Sequence, residues 1–167
     1  LSDKVKNIFF HMQHYEELFS TDSKFKRELT RINYFLPFNL IANSTWLKNL
    51  VSKVANRNSE LITPGIDFKM FKPSILPSEK YRPKSKYEIL SFVDGRREFK
   101  GCKELYETIK SVKKELGKDK VNFKLYGFTL PKYFSDLGVE FLGYVSPYRL
   151  PELYSSGDIF LFTSWYE

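Results

Sequence analysis

Hydrophobic runs alternate with stretches of helical periodicity along the whole chain. Runs rich in aromatic and β-branched residues predict strands, whereas apolar residues three and four positions apart predict helices. The predicted strands span residues 5–10, 38–43, 60–63, 87–93, 121–126, 139–143 and 158–163. The predicted helices span residues 25–36, 45–54, 102–116, 131–137 and 147–154. Residues 11–17 are expected at the polar edge of the first strand, and Gly127 is expected to end the strand at 121–126.

This alternation predicts an α/β fold with Rossmann-like parallel sheets. Several strands are hydrophobic throughout, the last at 158–163 above all, as in parallel sheets that helices cover on both faces. Such folds bind ligands at the carboxyl ends of their strands. The loops that follow Val93, Tyr126, Gly143 and Thr163 are therefore expected to line one cleft.

Residues 64–86 interrupt the pattern. They contain four prolines and many lysines without lasting periodicity, which is typical of a connection between two lobes. We therefore expect one lobe at residues 1–66, a linker at 67–86 and a second lobe at 87–167. Because the chain stops just after an apolar strand, we expect it to be a fragment of a two-lobe protein.

The second lobe begins with a strand, a short basic loop and a helix. Arg96, Arg97 and Lys100 lie between Gly95 and Gly101, directly after the predicted strand. Free backbone N–H groups and the positive end of the helix dipole attract an anion, and arginine and lysine neutralise it. The stretch therefore predicts a phosphate site, although a solvated basic loop remains the alternative.

Composition narrows the classes of protein. Hydrophobic residues make up 42% and aromatic residues 17% of 167 residues, which is typical of a globular chain. The net charge of +7 suits an anionic partner: a nucleotide, an acidic phospholipid surface or a nucleic acid. Cys102 is the single cysteine, which excludes an internal disulfide or a cysteine-based zinc site and favours a reducing, cytoplasmic setting.

Other signals are missing from the sequence. The two histidines give neither a metal cluster nor a catalytic triad, so we expect no metal. A P-loop and a complete Gly-x-Gly-x-x-Gly pattern are both missing, which argues against an ATPase and a nicotinamide enzyme. The sequence has no apolar run long enough to span a bilayer.

Short motifs in a fixed order carry a resemblance to a known family. They lie at residues 13–16 (QHYE), 42–47 (ANSTWL), 62–67 (ITPGID), 71–73 (FKP), 95–101 (GRREFKG), 141–146 (FLGYVS), 153–154 (LY), 158 (D) and 163–167 (TSWYE). Together they resemble the retaining nucleotide-sugar glycosyltransferases of the GT-B fold, glycosyltransferase family 4. The resemblance implies transfer of a sugar from a nucleotide-sugar to a glycan or lipid-linked acceptor, with retention of configuration.

The resemblance also implies roles for individual residues. Arg96 and Lys100 would hold the donor diphosphate, with Arg97 as an alternative to Arg96. The loop at Tyr144 and Val145 would meet the nucleobase, largely through backbone groups. Glu167 would contact the donor sugar. His14, or alternatively His11, would lie near the reacting centre of the sugar.

The chain departs from the family at several points. The family has a slightly longer loop between its arginine and lysine, and often a second glycine where Phe128 and Thr129 follow Gly127. By the resemblance, residues 1–66 are the end of the acceptor lobe and residues 87–167 the first part of the donor lobe. The first strands of the acceptor lobe are not in this sequence.

Two other functions compete with the transferase. One is a non-catalytic module of the same fold that binds a nucleotide or a partner, and the other is a basic nucleic-acid-binding protein. The aromatic residues lie among Ile, Leu and Val without regularly interleaved basic residues, which argues against stacking on a single strand, so no nucleic-acid partner is expected. The expected partners are a nucleotide-sugar as substrate, with no further cofactor, and an acceptor. The basic charge is compatible with contact at the inner face of an acidic membrane.

Overall fold

The computed structural model describes residues 7–19, 23–74 and 83–165. The chain divides into two compact units, Leu1–Ile66 and Asp67–Glu167, each with its own parallel sheet. The fold is therefore α/β with parallel sheets, as the sequence predicts. Lobe roles for residues 1–66, 67–86 and 87–167 stay predictions.

The first unit is built on a three-stranded sheet in the order β1-β2-β3, with all pairs parallel. The strands are β1 (Phe9–Met12), β2 (Asn39–Ala42) and β3 (Glu60–Leu61). The helices are α1 (Lys24–Ile32), between β1 and β2, and α2 (Thr45–Ala55), between β2 and β3.

Two boundaries in the first unit differ from the sequence prediction. His11 and Met12 belong to β1 rather than to a polar edge, and Met12 is buried in the core. α1 ends at Ile32 instead of residue 36. Beyond it, the Arg57 guanidinium donates hydrogen bonds to the carbonyls of Tyr34, Leu36 and Phe38, so side-chain donors rather than a continued helix satisfy these groups.

The periodic apolar face of α1 is exposed. Phe25, Leu29 and Ile32 retain 71%, 49% and 51% of their accessible surface. The spacing that predicts a helix is thus present, but this face contributes nothing to the core of the unit. That core consists of Met12, Tyr34, Leu40, Ala42, Leu47, Val51 and Ala55.

The second unit is built on a four-stranded parallel sheet in the order β6-β5-β4-β7. Its strands are β4 (Tyr87–Asp94), β5 (Val121–Thr129), β6 (Glu140–Phe141) and β7 (Ile159–Leu161). Its helices are α3 (Cys102–Leu116) and α4 (Leu150–Ser156). Leu105 and Ile109 of α3 pack with Phe123 and Leu125 of β5 in the core.

Gly127 does not end β5, contrary to the prediction. The strand continues to Thr129, and Gly127 has φ +142. A Cβ at this position would lie 2.0 Å from the Val93 carbonyl oxygen. The glycine therefore permits a close approach of two strands rather than a turn. The β4–β5 register shifts at this level, between Val93 and Asp94.

Other elements of the second unit are shorter than predicted. β6 and β7 contain two and three residues, and the predicted helix at 131–137 is a 3-10 turn at Lys132–Phe134. The predicted helix at 147–154 starts as a 3-10 turn at Pro147–Arg149 and continues as α4.

The last strand is apolar but not fully covered. Ile159, Phe160 and Phe162 retain 53%, 45% and 58% of their accessible surface, so the expectation of a buried final strand was wrong for these side chains. Among the described residues, β7 pairs with β4 alone and forms one edge of the sheet. Within the same ranges, no helix has both the length and the apolar character needed to cross a bilayer.

Candidate functional site

The cationic loop, residues 95–101, connects the carboxyl end of β4 with α3. It contains a 3-10 turn, Glu98–Lys100, and ends at Gly101 in the left-handed region with φ +66. Gly101 is also the N-cap of α3, so the cap residue itself makes no side-chain hydrogen bond to the first turn of that helix. Backbone N–H groups at such a helix start can bind an anion.

The segment after β7 fixes the end of this loop. A Cβ on Gly101 would lie 1.9 Å from the carbonyl oxygen of Thr163, so only glycine fits. The Trp165 N–H donates to the Phe99 carbonyl over 2.9 Å, and the Thr163 hydroxyl donates to the Lys100 carbonyl over 3.4 Å. The loop is thus held by one segment, residues 163–165, that is distant from it in sequence.

Arg96 is held by a buried carboxylate. Its Nε and Nη2 donate to the two carboxylate oxygens of Asp94 over 2.8 and 2.9 Å, and its backbone N–H donates to Oδ1 over 3.2 Å. Asp94 is 2% exposed, whereas the Arg96 side chain is 55% exposed. Hydrogen bonding from Arg96 holds the pKa of Asp94 below its usual value. Two of the five guanidinium N–H groups are used, which leaves three for a ligand.

Arg97 and Lys100 also belong to the cationic loop. Arg97 Nε lies 3.8 Å from Asp94 Oδ2, and its side chain is 59% exposed. The Lys100 ammonium lies 5.3 and 5.6 Å from the ring centroids of Phe99 and Phe92. The loop thus carries two cations in addition to Arg96, whose guanidinium is paired with Asp94.

The loop after β6 forms the second part of the candidate site. Tyr144 is 66% exposed, and its ring lies 6.0 Å from that of Phe128 at 27°. Val145 lines an open pocket of about 470 Å³ next to this tyrosine. The pocket is lined by Leu142, Tyr144, Val145, Ser146, Arg149, Glu152, Leu153 and Ser156.

His14 lies in the first unit, just after β1. Its Nε2 is 3.1 Å from Glu16 Oε1, and its ring contacts Phe19 edge-on at 4.4 Å. His11 is exposed on β1, opposite Ile41. The structure thus places His14 against a carboxylate partner within its own unit, and its role at a reacting sugar stays a prediction.

Glu167 lies outside the described residues, so its role also stays a prediction. In the ranges that are described, no group of three or more His, Cys, Asp or Glu side chains could hold a metal ion.

Two residues of the site were not predicted from the sequence. Asp94 directly follows the predicted strand at 87–93 and was not predicted as a site residue, although a carboxylate two residues before an arginine could have been recognised as its partner. Phe128 was noted only as a departure from the family pattern. The Arg96 Cζ lies 4.7 Å from the Phe128 ring centroid, so this side chain contacts the cationic loop directly.

Comparison with known proteins identifies the fold. No protein-family model and no curated protein sequence matches the chain. Among 29 matching chains of solved structures is the sucrose-phosphate synthase of Thermosynechococcus elongatus. The match has a TM-score of 0.71 at 16% identity and covers 95% of this chain but 45% of the synthase chain.

The chain therefore has the parallel α/β fold of a glycosyltransferase domain, and the fold class expected from the sequence is confirmed. It spans less than half the length of the synthase chain that it matches. At this level of identity the likeness defines the fold alone. Membership of glycosyltransferase family 4 and retention of configuration stay predictions.

Proposed function

We propose that this chain is part of a glycosyltransferase that uses a nucleotide-sugar, and that the cationic loop binds the donor diphosphate. One observation carries the proposal: Arg96, Arg97 and Lys100 meet at the carboxyl end of β4, before the uncapped N-terminus of α3. Negative charge develops on a nucleoside diphosphate as it leaves the sugar. Fixed cations and backbone N–H groups stabilise that charge.

The pocket beside Val145 would take the nucleobase. The pocket lies in the loop region that follows β6. The Phe128 ring contacts both Tyr144, which lines the pocket, and Arg96 of the cationic loop. A ligand with an anionic part and a flat apolar part matches these two adjoining regions. The fold shared with a sucrose-phosphate synthase supports a sugar donor of this class.

The finer parts of the proposal rest on the family resemblance. They are retention of configuration, a glycan or lipid-linked acceptor as in polysaccharide biosynthesis, and contacts of His14 and Glu167 with the donor sugar. The basic charge supports a cytoplasmic protein that contacts an acidic membrane surface.

Titration calorimetry of the chain with UDP, GDP and ADP tests the diphosphate site. We expect at least one of them to bind, and Lys100→Ala to weaken that binding about tenfold or more, because a charge-assisted contact is worth about 1.5–3 kcal/mol. Lys118→Ala, which removes an exposed lysine beyond α3, is the matched control and should bind as the unaltered chain does. Lack of binding by all three nucleotides, or equal effects of the two substitutions, would refute the proposal.

A further inference from the structure

Phe128 is a large apolar side chain that lies between two loops of the candidate site. It lies near the end of β5 and is 54% exposed. Its ring centroid lies 4.7 Å from Arg96 Cζ, 6.0 Å from the Tyr144 ring and 6.2 Å from the Phe92 ring. Phe128 therefore contacts both the cationic loop and the loop that carries the pocket.

Arg96 is constrained in two directions at once. Asp94 binds one edge of the guanidinium through two hydrogen bonds, and the Phe128 ring lies against the group. A planar cation held by an edge and by a ring contact keeps a defined orientation. Its three remaining N–H groups then point in fixed directions, even though the side chain is half exposed.

Asp94 also changes how Arg96 would interact with an anionic ligand. Because the carboxylate balances the guanidinium charge, Arg96 offers a ligand directed hydrogen bonds more than net attraction. Arg97 and Lys100 are the other two cations of the loop. The orientation of Arg96 therefore matters more here than at a site where the arginine acts as a free charge.

We propose that Phe128 is a positioning residue, which sets the orientation of Arg96 towards the diphosphate of the ligand. This inference rests on the proposed function and adds to it a residue that acts through Arg96. Through Tyr144, the same ring ties the cationic loop to the pocket beside Val145.

A double-mutant cycle tests the proposal. The variants are Phe128→Leu, Arg96→Gln and the pair, titrated with whichever of UDP, GDP and ADP binds the unaltered chain most tightly. We expect Phe128→Leu to weaken binding roughly three- to fivefold, the scale of an exposed cation–π contact. In the Arg96→Gln background it should have almost no further effect, because residues that act through one contact are not additive. Phe128→Tyr should restore the affinity.

Phe25→Leu is the matched control, because Phe25 is a 71% exposed phenylalanine of the first unit. It should leave the affinity unchanged. Full affinity in Phe128→Leu, or an equal loss in both Arg96 backgrounds, would overturn the proposal. If the unaltered chain binds none of the three nucleotides, the proposed function fails instead.

An NMR measurement tests whether Phe128 positions Arg96 in the absence of a ligand. We expect the Arg96 Nε–H signal to show ring-current displacement and slow solvent exchange in the unaltered chain. Both features should diminish in Phe128→Leu and return in Phe128→Tyr. An Arg96 signal that is identical in all three proteins would contradict a positioning role, whatever the nucleotide titrations show.

Discussion

At the scale of single residues, Asp94 is the group on which the cationic loop depends. It is buried, it accepts three hydrogen bonds from Arg96, and it lies within 3.8 Å of Arg97. A buried carboxylate is stable in its charged form only while such partners remain. The ion pair therefore supports the fold and the shape of the loop together.

The pKa of Asp94 gives a prediction about pH. Hydrogen bonding from Arg96 lowers that pKa in the folded chain, so the unfolded chain takes up the proton first as the pH falls. This contribution to stability is present above about pH 4 and is lost as the pH falls through the lowered pKa. Urea unfolding at pH 6 and pH 3 should show a smaller difference in Asp94→Asn than in the unaltered chain.

Asp94→Asn should also lower stability at pH 6 by about 1 kcal/mol or more, because it weakens hydrogen bonds to a charged group. Asp119→Asn, in the exposed turn before β5, is the control and should keep the full difference between the two pH values. An Asp94→Asn protein with unchanged pH dependence would show that the pair does not stabilise the fold.

The residues of the site were only partly predictable. The cations could be placed, because Gly95, Gly101 and the strand and helix around them fix where the loop lies. The contacts of Arg96 could not be predicted, since the sequence does not show which carboxylate or ring faces a given guanidinium. Phe128 lies 32 residues from Arg96 along the chain, and only the pairing of β4 with β5 brings them together.

At the scale of elements, glycines account for one accurate prediction and one wrong one. α3 was predicted with its observed bounds, because Gly101 and Gly117 flank a strongly periodic stretch. β5 was predicted too short, because Gly127 serves a close approach to Val93 rather than a turn. A glycine in the sequence indicates that the backbone needs unusual freedom at that position. It does not show whether the reason is a turn, a helix cap or a close approach of two strands.

Gly101 gives a prediction at this scale. Gly101→Ala should destabilise the second unit by several kcal/mol, because it adds a clash with the Thr163 carbonyl to the cost of a left-handed residue. Gly138→Ala is the matched control, because Gly138 has a similar φ of +58 but no atom closer than 4.0 Å. It should cost only about 1–2 kcal/mol.

Thermal unfolding followed by circular dichroism would compare the two glycine variants in the same unit. If Gly101→Ala and Gly138→Ala lose the same stability, the Thr163 carbonyl does not restrict the residue at position 101.

At the scale of the whole molecule, the sequence predicted the class of fold but not its detailed order. Alternating strands and helices indicate parallel sheets, which both units have. The order β6-β5-β4-β7 depends on pairing between distant segments, such as β4 with β7, which local patterns do not encode. Burial was also overestimated, because periodicity identifies an apolar face but not whether another element covers it.

The uncovered apolar side chains predict self-association of this chain. Among the described residues β7 is an edge strand. Ile159, Phe160 and Phe162, within or beside it, are about half exposed. Exposed apolar edges of this kind favour pairing with other molecules. Light scattering should show association that rises with protein concentration, and Phe162→Lys should reduce it severalfold.

Phe68→Lys is the control, because Phe68 is 79% exposed in a turn outside the strands of the sheet. It should reduce association less than Phe162→Lys. A chain that stays monomeric at all concentrations would contradict the prediction.

The contacts of Thr163 and Trp165 with the cationic loop have a consequence for the order of folding. The Thr163 hydroxyl and the Lys100 carbonyl that it binds are separated by 63 positions, so closing this contact costs more chain entropy than forming α3 does. On a ribosome, β4 and α3 emerge well before Thr163 is made. The cationic loop therefore takes its final shape late in synthesis, only after the segment that follows β7 has joined the sheet.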